Sequence, residues 1–539
     1  MGLKTSISLV TLVLVGAALG GFVSEQAVSS QSGTQSSPRS VRADYMEALG
    51  IVSENYAGGI DHEALTESSI QGMLWTLDPH SAFFTASEFR TLFEEQSSQF
   101  YGIGVSILQF PDGVYVQSVI PGTPAEEAGL RYGDKFLSID GKNATEWTSA
   151  EVSKNVRGER GSRVRLEMER PDTDDPIRFE IVRGGVPLPS VRNVFMLDDG
   201  VGYIGLTGGF QETTAAEFDE AVSELQAKGM KSLVLDLRNN PGGLLKQARE
   251  IVSRFIEPGK TVVSVKGRSS YAQTERLETA GKPLADLPVA VLVNGGSASA
   301  SEIVAGALQD YARGLVLGED SFGKGLVQRV FPLPLGTGLT LTTARYYTPY
   351  GRSLQKDYSN GSLYEYYSHS NEDGGDVGEA IPKPKGTPVT TANGRVYYGG
   401  RGIEPDLRVK PTEFTPQRLK INQATFYFVR KLAYGKVKGM ESFRIGKQRF
   451  AKDVSTSAIK VDDSLFAAFQ EFVRADKKLG LTLAMLEKDQ EYARMQLREE
   501  MATALYSNET GQQVLLENDP QVRKAVDSFR DANTLLGKR

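Results

Sequence analysis

The sequence contains no cysteine and only three histidines, His62, His80 and His369, among its 539 residues. The absence of cysteine excludes a disulfide framework, a thiolate zinc site and a cysteine nucleophile. Three histidines spread along the chain do not predict a histidine-rich metal centre. The net charge of −6 gives no reason to expect nucleic acid as a partner. We therefore expect no metal, no cofactor and no nucleic acid.

The first forty residues differ from the rest in composition. Residues 7–23 are an uncharged apolar run that follows Lys4, which predicts a signal peptide or a signal anchor. A buried core helix is the alternative. Residues 24–40 are rich in Ser and Gln, which is typical of a linker. We expect the protein in the cell envelope, periplasmic or extracytoplasmic, with residues 7–23 holding it to the inner membrane if they are not cleaved.

The periodicity of apolar residues then changes along the chain. Residues 41–95 have helical spacing, and residues 96–186 have the alternation of short strands with two helices between them. Residues 187–410 alternate buried strands with amphipathic helices, which predicts a largely parallel sheet. Residues 411–539 contain several amphipathic helices. The pattern indicates a multidomain α/β protein with helical regions at both ends.

The stretch from Val291 to Gln328 carries the strongest chemical signal. A buried strand ends at Asn294, small residues follow, and a helix begins near Ser301. Such a turn exposes a side chain, and the free N–H groups at a helix start favour a developing negative charge. Ser299 is therefore a candidate nucleophile. Helix capping and packing are the alternative explanation for this serine-rich turn.

A serine nucleophile needs a base, and Lys324 is the candidate. It follows a predicted strand and is flanked by Gly323 and Gly325, which allow close approach of a backbone. Desolvation can lower the pKa of a lysine enough for it to act as a base. A solvated loop lysine is the alternative. The histidines are poorer candidates, because two lie in the predicted N-terminal helical module and one in a polar insertion.

Two further turns could present backbone N–H groups. The sequence DLRNNPGGLL (236–245) places a glycine-rich turn between a buried strand and a helix, which suits an oxyanion. Phosphate binding is the alternative, although no GK[ST] sequence follows. The sequence YGIG (101–104) precedes a strand, where its N–H groups could bind the terminal carboxylate of a peptide.

These motifs occur in a familiar order. The sequences LDPHS, YGIG, GTPAEEAGLRYGDKFLSIDG, DLRNNPGG, GSASASE, FGKGLVQ and TPYGRSL together resemble the carboxyl-terminal processing peptidases over about residues 44–410. The resemblance implies a serine endopeptidase with a crotonase-like α/β protease core at 187–410. It also implies a PDZ domain near 96–186 that engages the C-terminus of a protein or peptide substrate.

The resemblance also assigns roles to individual residues. Ser299 matches the nucleophile and Lys324 the general base of a Ser–Lys dyad, and Gln328 matches the residue that orients the lysine. The backbone amides of Gly243 and Ala300 match the oxyanion hole.

The PDZ resemblance and the less familiar segments give the remaining expectations. Residues 356–398 form a longer insertion than the family pattern suggests. Residues 411–539 match the family only loosely, and their role is open. A homo-oligomer or a complex with an adaptor protein is therefore an open expectation for partners. The predicted contacts to the substrate carboxylate are Tyr101, Gly102, Ile103 and Gly104.

Three other functions remain open at this stage. A non-proteolytic scaffold would bind peptide termini without cleaving them, but it would not need both Ser299 and Lys324. A crotonase-type acyl-CoA enzyme would share the core topology, but the export segment and the PDZ-like module argue against it. A tricorn-like peptidase would have another specificity, and the PDZ-like module before the core favours C-terminal processing.

Overall fold

The computed structural model describes residues 37–268, 275–284, 287–358, 366, 386–446, 448–450 and 454–530. They divide into two compact units, one up to Gly72 and one from Met73 onward. The predicted export segment, most of the linker, most of the 356–398 insertion and His369 lie outside the described residues. Within the described ranges, no helix has the length and apolar character needed to cross a membrane.

Helices and strands alternate through most of the chain. The α-helices are α1 (Pro38–Asn55), α2 (His62–Trp75), α3 (Ala86–Gln96), α4 (Pro124–Ala128), α5 (Ser149–Val156), α6 (Thr214–Ala227), α7 (Leu245–Ser253), α8 (Ala300–Asp310), α9 (Pro416–Ala433), α10 (Asp463–Ala475), α11 (Leu483–Lys488), α12 (Gln490–Leu505), α13 (Asn508–Leu516) and α14 (Pro520–Arg530). The strands of the first half are β1 (Ala82–Phe84), β2 (Gln99–Gly102), β3 (Val105–Phe110), β4 (Gly113–Val119), β5 (Lys135–Ile139), β6 (Lys142–Asn143), β7 (Arg163–Glu169), β8 (Ile177–Val182), β9 (Gly184–Pro187), β10 (Val191–Met196) and β11 (Val201–Leu206). Those of the second half are β12 (Ser232–Asp236), β13 (Thr261–Gly267), β14 (Glu275–Glu278), β15 (Val289–Val293), β16 (Leu315–Gly318), β17 (Leu326–Pro332), β18 (Gly338–Tyr347), β19 (Pro388–Thr390), β20 (Val396–Tyr398) and β21 (Leu407–Arg408).

The first unit contains α1 and most of α2. Helix α1 begins at Pro38, two residues before the predicted end of the linker. The reason is local: the Ser37 side chain accepts a hydrogen bond from the Ser40 N–H, and proline is favoured at the first helical position.

A six-stranded sheet forms the centre of the second unit. Its order is β10-β11-β12-β15-β16-β21, and every pairing is parallel except that of β10 with β11. One face packs against α6, α7 and α8, in a cluster that includes Leu235, Val291, Phe218 and Val304. The alternation of buried strands and helices predicted within residues 187–410 is therefore confirmed, as is the mixed α/β class.

The opposite face of this sheet is also covered. Strand side chains such as Val234 and Leu292 pack there against Leu516, Val522 and Ala525 of the C-terminal helices α13 and α14. Because alternate residues of a strand point to opposite faces, a strand buried on both faces has a continuous apolar sequence. The last helices of the chain are thus part of the core of the sheet.

A second sheet carries the order β1-β18-β13-β14, with β17 also paired to β18. Its first strand lies inside the segment predicted as an N-terminal helical module: Ala82 pairs with Thr340, and Phe84 with Gly338. The sequence does not predict this strand, because helical spacing dominates the preceding residues 41–75 and the strand has only three residues. It is stabilised by a partner strand more than 250 positions away.

Residues 103–183 form a separate β-rich body with the order β3-β4-β5-β7-β8, with β6 paired to β5. Helices α4 and α5 pack on it, as the sequence predicts, around a core that includes Phe136 and Leu166. The other side of the β3–β4 hairpin contacts the C-terminal helical region, where the Phe110 and Phe426 ring centroids are 4.7 Å apart.

Candidate active site

The turn between β15 and α8 carries the candidate nucleophile. Ser299 immediately precedes the helix with φ 54° and ψ −111°, in a region that residues other than glycine rarely adopt. The neighbouring hydroxyls hold the turn together: Ser297 Oγ donates to the Leu237 carbonyl at 2.8 Å, and Ser301 Oγ donates to the Asn240 carbonyl at 2.9 Å. In the described part of the chain the Ser299 hydroxyl donates to no carbonyl, so that it is available to act as a nucleophile.

The Glu302 carboxylate links this turn to the loop that carries Lys324. Its Oε2 accepts hydrogen bonds from the N–H groups of Ser299 and Lys324, both at 2.8 Å. Its Oε1 accepts from the Gly323 N–H at 2.7 Å and from Ser321 Oγ at 2.5 Å. The side chain is fully buried, and burial raises its pKa while these four hydrogen bonds oppose that effect.

Lys324 is largely buried in this loop. Burial disfavours its ammonium form and lowers the pKa of the side chain, while the negative charges of Glu302 and Asp78 oppose the shift. No hydrogen bond between Ser299 Oγ and Lys324 Nζ is present among the described residues. Glu302 holds the backbones of both residues in place, while their described side chains are not hydrogen-bonded to each other. Catalytic hydrogen bonds often shorten only when substrate binds.

Gln328 lies on β17, four residues beyond Lys324, where the pairing with β18 shifts in register between Val327 and Gln328. Its Nε2 is buried, and the described residues offer it no hydrogen-bond partner. Buried polar groups are rarely left unpaired, and such a group calls for a functional or structural reason. The Gln328 side chain therefore lies on the strand that follows the lysine loop, and its Nε2 can still donate a hydrogen bond.

The DLRNNPGG turn lies against the nucleophile turn. The Asn240 carbonyl accepts from the Ala298 N–H at 3.0 Å, and a Cβ on Gly242 would lie 2.7 Å from Ser299 Cβ. Gly242 must therefore be glycine to allow this contact. Among the described residues no acceptor bonds to the N–H of Gly243 or of Ala300, so the two predicted oxyanion donors are unused.

A histidine also reaches this site. Asp78 accepts hydrogen bonds from the His80 N–H at 2.8 Å and the Ser81 N–H at 2.9 Å, which fixes the LDPHS turn. His80 Nε2 is 2.7 Å from the Tyr366 hydroxyl. Burial, and then the charge of Lys324, lower the pKa of His80 to about 4. The sequence argument against His80, that it lies in the predicted N-terminal helical module, is wrong, because the folded chain brings this turn to the lysine loop.

Aromatic and polar groups enclose the lysine loop on the same side. The Phe322 ring packs edge-on against Tyr366 at 5.7 Å and against His80 at 6.3 Å. Gln355 Oε1 accepts from the Gly325 N–H at 2.9 Å, and its Nε2 donates to the Tyr366 hydroxyl at 3.1 Å. These contacts pack His80, Tyr366 and Gln355 against the loop that carries Lys324, whose pKa is lowered by burial.

The YGIG loop connects β2, which pairs with β9, to β3 of the β-rich body. Tyr101 and Gly102 end β2, Ile103 is buried, and Gly104 has φ 91°. Within the described structure no acceptor bonds to the N–H of Ile103 or Gly104. Strand β3 follows at the edge of its sheet, with β4 as its neighbour. An edge strand beside free N–H groups is the geometry that binds an extended peptide terminus.

Comparison with known proteins gives the class of protein to which this site belongs. Residues 200–360 match the family model for peptidase family S41, and residues 115–170 match the model for the PDZ domain. The chain is 39% identical over 299 residues to the carboxy-terminal-processing protease of Bartonella bacilliformis, which covers 55% of this chain and 68% of that protein. It is 34% identical over 313 residues to the carboxy-terminal processing protease CtpB of Bacillus subtilis, covering 58% and 65%.

The protein is a serine-type endopeptidase with a PDZ domain. It belongs to the carboxy-terminal processing protease family. The aligned residues span about two thirds of the length of each of these two relatives. Among solved structures, the photosystem II D1 C-terminal processing protease is similar, with 28% identity, coverage of 68% of this chain and 86% of that one, and a TM-score of 0.36. The resemblance drawn from the sequence motifs is confirmed at the level of the family.

Sequence reasoning missed Glu302, Asp78 and the position of His80. For Glu302 a signal was present, because Ser299 and Glu302 have the S-x-x-E spacing of a helix capping box. For His80 the LDPHS motif points to the family but not to the position of the side chain, since its neighbours at 322 and 366 are distant in sequence.

Proposed function

We propose that this protease cleaves proteins near their C-termini through an acyl-enzyme formed on Ser299, with neutral Lys324 as the general base. The observation that carries the proposal is the shared Oε2 of Glu302, which accepts from the N–H of both residues at 2.8 Å. One buried carboxylate thereby holds the nucleophile turn and the base loop in a common register.

The reaction proceeds in two halves. Lys324 Nζ takes the proton of Ser299 Oγ while the oxygen attacks the scissile carbonyl, and the resulting ammonium protonates the leaving amine as the C–N bond breaks. Water then attacks the acyl ester, with Lys324 again accepting a proton and returning it to Ser299 Oγ. Protons and bonds balance without any other group.

The oxyanion of each tetrahedral intermediate is stabilised by the N–H groups of Gly243 and Ala300. Both donors lie at the junction of the two turns, where Gly242 contacts Ser299. A preorganised donor of this kind is worth about 3 kcal/mol in comparable sites. Gln328 completes the site by orienting the Lys324 amine through its buried amide.

Substrate selection is the task of the PDZ domain. The N–H groups of the YGIG loop, from Tyr101 to Gly104, bind the free C-terminal carboxylate, and the peptide extends along β3. Near the end of β3, the Oε1 of Gln109 accepts a hydrogen bond from the Ser149 N–H at the start of α5, at 2.9 Å.

We also propose that residues 7–23 direct the protein to the cell envelope, where they either anchor it to the inner membrane or are removed. Deleting them should leave the protein in the cytosol after fractionation. Recovery of the truncated protein in carbonate-washed membranes would contradict this role.

The nucleophile is tested by covalent labelling. A fluorophosphonate should modify the wild-type protein on Ser299, and Ser299→Ala should abolish both labelling and cleavage of a quenched fluorescent peptide. Ser301→Ala removes a hydroxyl of the same turn and serves as the matched control, which should still be labelled at Ser299. Labelling of Ser297 or Ser301 in the Ser299→Ala variant would place the nucleophile elsewhere.

A further inference from the structure

The C-terminal region contacts the DLRNNPGG turn through Arg238. This residue follows β12 at the start of the DLRNNPGG turn, and its side chain is 12% exposed. Its Nη2 donates to Asp236 Oδ2 at 2.6 Å, while its Nη1 donates to Asp519 Oδ2 and to Gln521 Oε1, both at 2.7 Å. An arginine of the catalytic core is therefore held from one side by the core and from the other by the start of α14.

We propose that Asp519 is a positioning residue for catalysis, which fixes Arg238 and through it the turn that presents the Gly243 N–H. The inference rests on the proposed role of that N–H as an oxyanion donor. It assigns a role in catalysis to Asp519 at the start of α14, although this residue lies more than 270 positions after the turn.

The turn transmits the position of Arg238 because it has little freedom. Asn239 has φ 57°, and its N–H donates to Asn294 Oδ1 at 2.9 Å. Asn240 Oδ1 accepts from the Gly242 N–H at 2.9 Å. Hydrogen bonds therefore hold the backbone between residues 238 and 242 at several points. A shift at Arg238 consequently changes the direction of the Gly243 N–H.

The two oxygens of Asp519 have separate tasks. Oδ1 accepts from the N–H groups of Gln521 at 2.8 Å and Val522 at 3.2 Å, which caps α14, and Oδ2 pairs with Arg238. Asparagine and serine are good N-cap residues, so both can replace the first task but not the second. Asp236 stays beside Arg238 in such variants, so the buried guanidinium keeps a counter-charge.

The test compares Asp519→Asn and Asp519→Ser with the wild type in steady-state cleavage of a quenched fluorescent peptide. Misplacing a donor should lower kcat by roughly ten- to a hundredfold, with KM within about twofold. Affinity for a peptide boronic acid, whose tetrahedral adduct places an oxygen in the oxyanion hole, should fall in parallel with kcat. The melting temperature should remain close to that of the wild type.

Arg530→Gln is the matched control. It removes another ion pair between α14 and the core, that of Arg530 with Asp199, whose side chains are 63% and 53% exposed. Exposed pairs contribute little, so kcat and boronate affinity should stay unchanged.

The outcomes separate this inference from the proposed function. Ser299→Ala retaining activity would refute the proposed nucleophile. Ser299→Ala inactive with Asp519→Asn and Asp519→Ser indistinguishable from wild type would refute only the positioning role. A loss of kcat that follows a loss of melting temperature, or that leaves boronate affinity unchanged, would show that Asp519 merely stabilises the fold and would overturn the inference.

Discussion

The lysine loop at 322–325 and the LDPHS turn at 77–81 bring two nitrogen bases to the same site. Both Lys324 and His80 have their pKa lowered chiefly by burial. The effect on their chemistry is opposite. A lysine with a lowered pKa gains a neutral form that is still a strong base, whereas a histidine with a pKa of about 4 becomes a weaker base than free imidazole.

The comparison explains why burial suits one role and not the other. Burial lowers the pKa of Lys324, and burial against Phe322 and Tyr366, together with the charge of Lys324, keeps His80 neutral near pH 7. A neutral His80 adds no positive charge beside the lysine, and so does not oppose substrate binding or proton uptake. His80 is thereby a structural neighbour of the base that helps to form its environment.

The largest expected effect comes from replacing the base. Lys324→Ala should lower kcat/KM by roughly 10³-fold or more, since it removes general base and general acid together. Lys324→Arg should be equally inactive, because a guanidinium is not deprotonated in proteins. Peptide cleavage with folding checked by circular dichroism measures both. Substantial activity in Lys324→Arg would exclude the lysine as base.

A smaller loss is expected from Glu302→Gln. The amide can accept hydrogen bonds only through its oxygen, so one pair of N–H or O–H donors would face an NH₂ group. We expect kcat to fall by roughly 10²-fold because the nucleophile turn and lysine loop lose their common register. Glu319→Gln, a half-buried glutamate beyond β16, is the control. If Glu302→Gln matches the wild type in kcat, the carboxylate does not position the dyad.

His80→Phe sharpens the comparison further. The ring preserves the packing on Phe322 but loses the hydrogen bond to Tyr366, so kcat/KM should fall by less than about tenfold at neutral pH. His62→Phe, on α2 in the first unit, is the matched control and should have no effect. A loss as large as that of Lys324→Ala would identify His80 as a catalytic base.

The smallest effect concerns the PDZ domain. A substrate peptide with a C-terminal amide loses the charge that the YGIG loop should bind, so its KM should rise by roughly five- to tenfold with kcat little changed. The same peptide as the free acid is the control. Equal KM values for the two forms would show that the domain does not read the terminal carboxylate.

Much of this arrangement could be predicted from the sequence, because its signals are local. The strands and helices of the central sheet have clear apolar periods, and the order of the motifs identifies the family along with Ser299 and Lys324. The contacts that define the environment of these residues are not local. The folded chain brings the LDPHS turn to the lysine loop, where His80 packs against Phe322 and Tyr366. Arg238 pairs with Asp519 only once the C-terminal helices cover the sheet.

The dependence of kcat/KM on pH tests the central claim most directly. A base must be deprotonated to act, so activity should rise as the pH increases through the pKa of the base in the folded enzyme and then level off. If Lys324 is the base, the rise follows the lowered pKa of this lysine and not that of His80, and it keeps its position in His80→Phe. A rise centred near pH 4, where His80 titrates, that disappears in His80→Phe would contradict the serine–lysine mechanism.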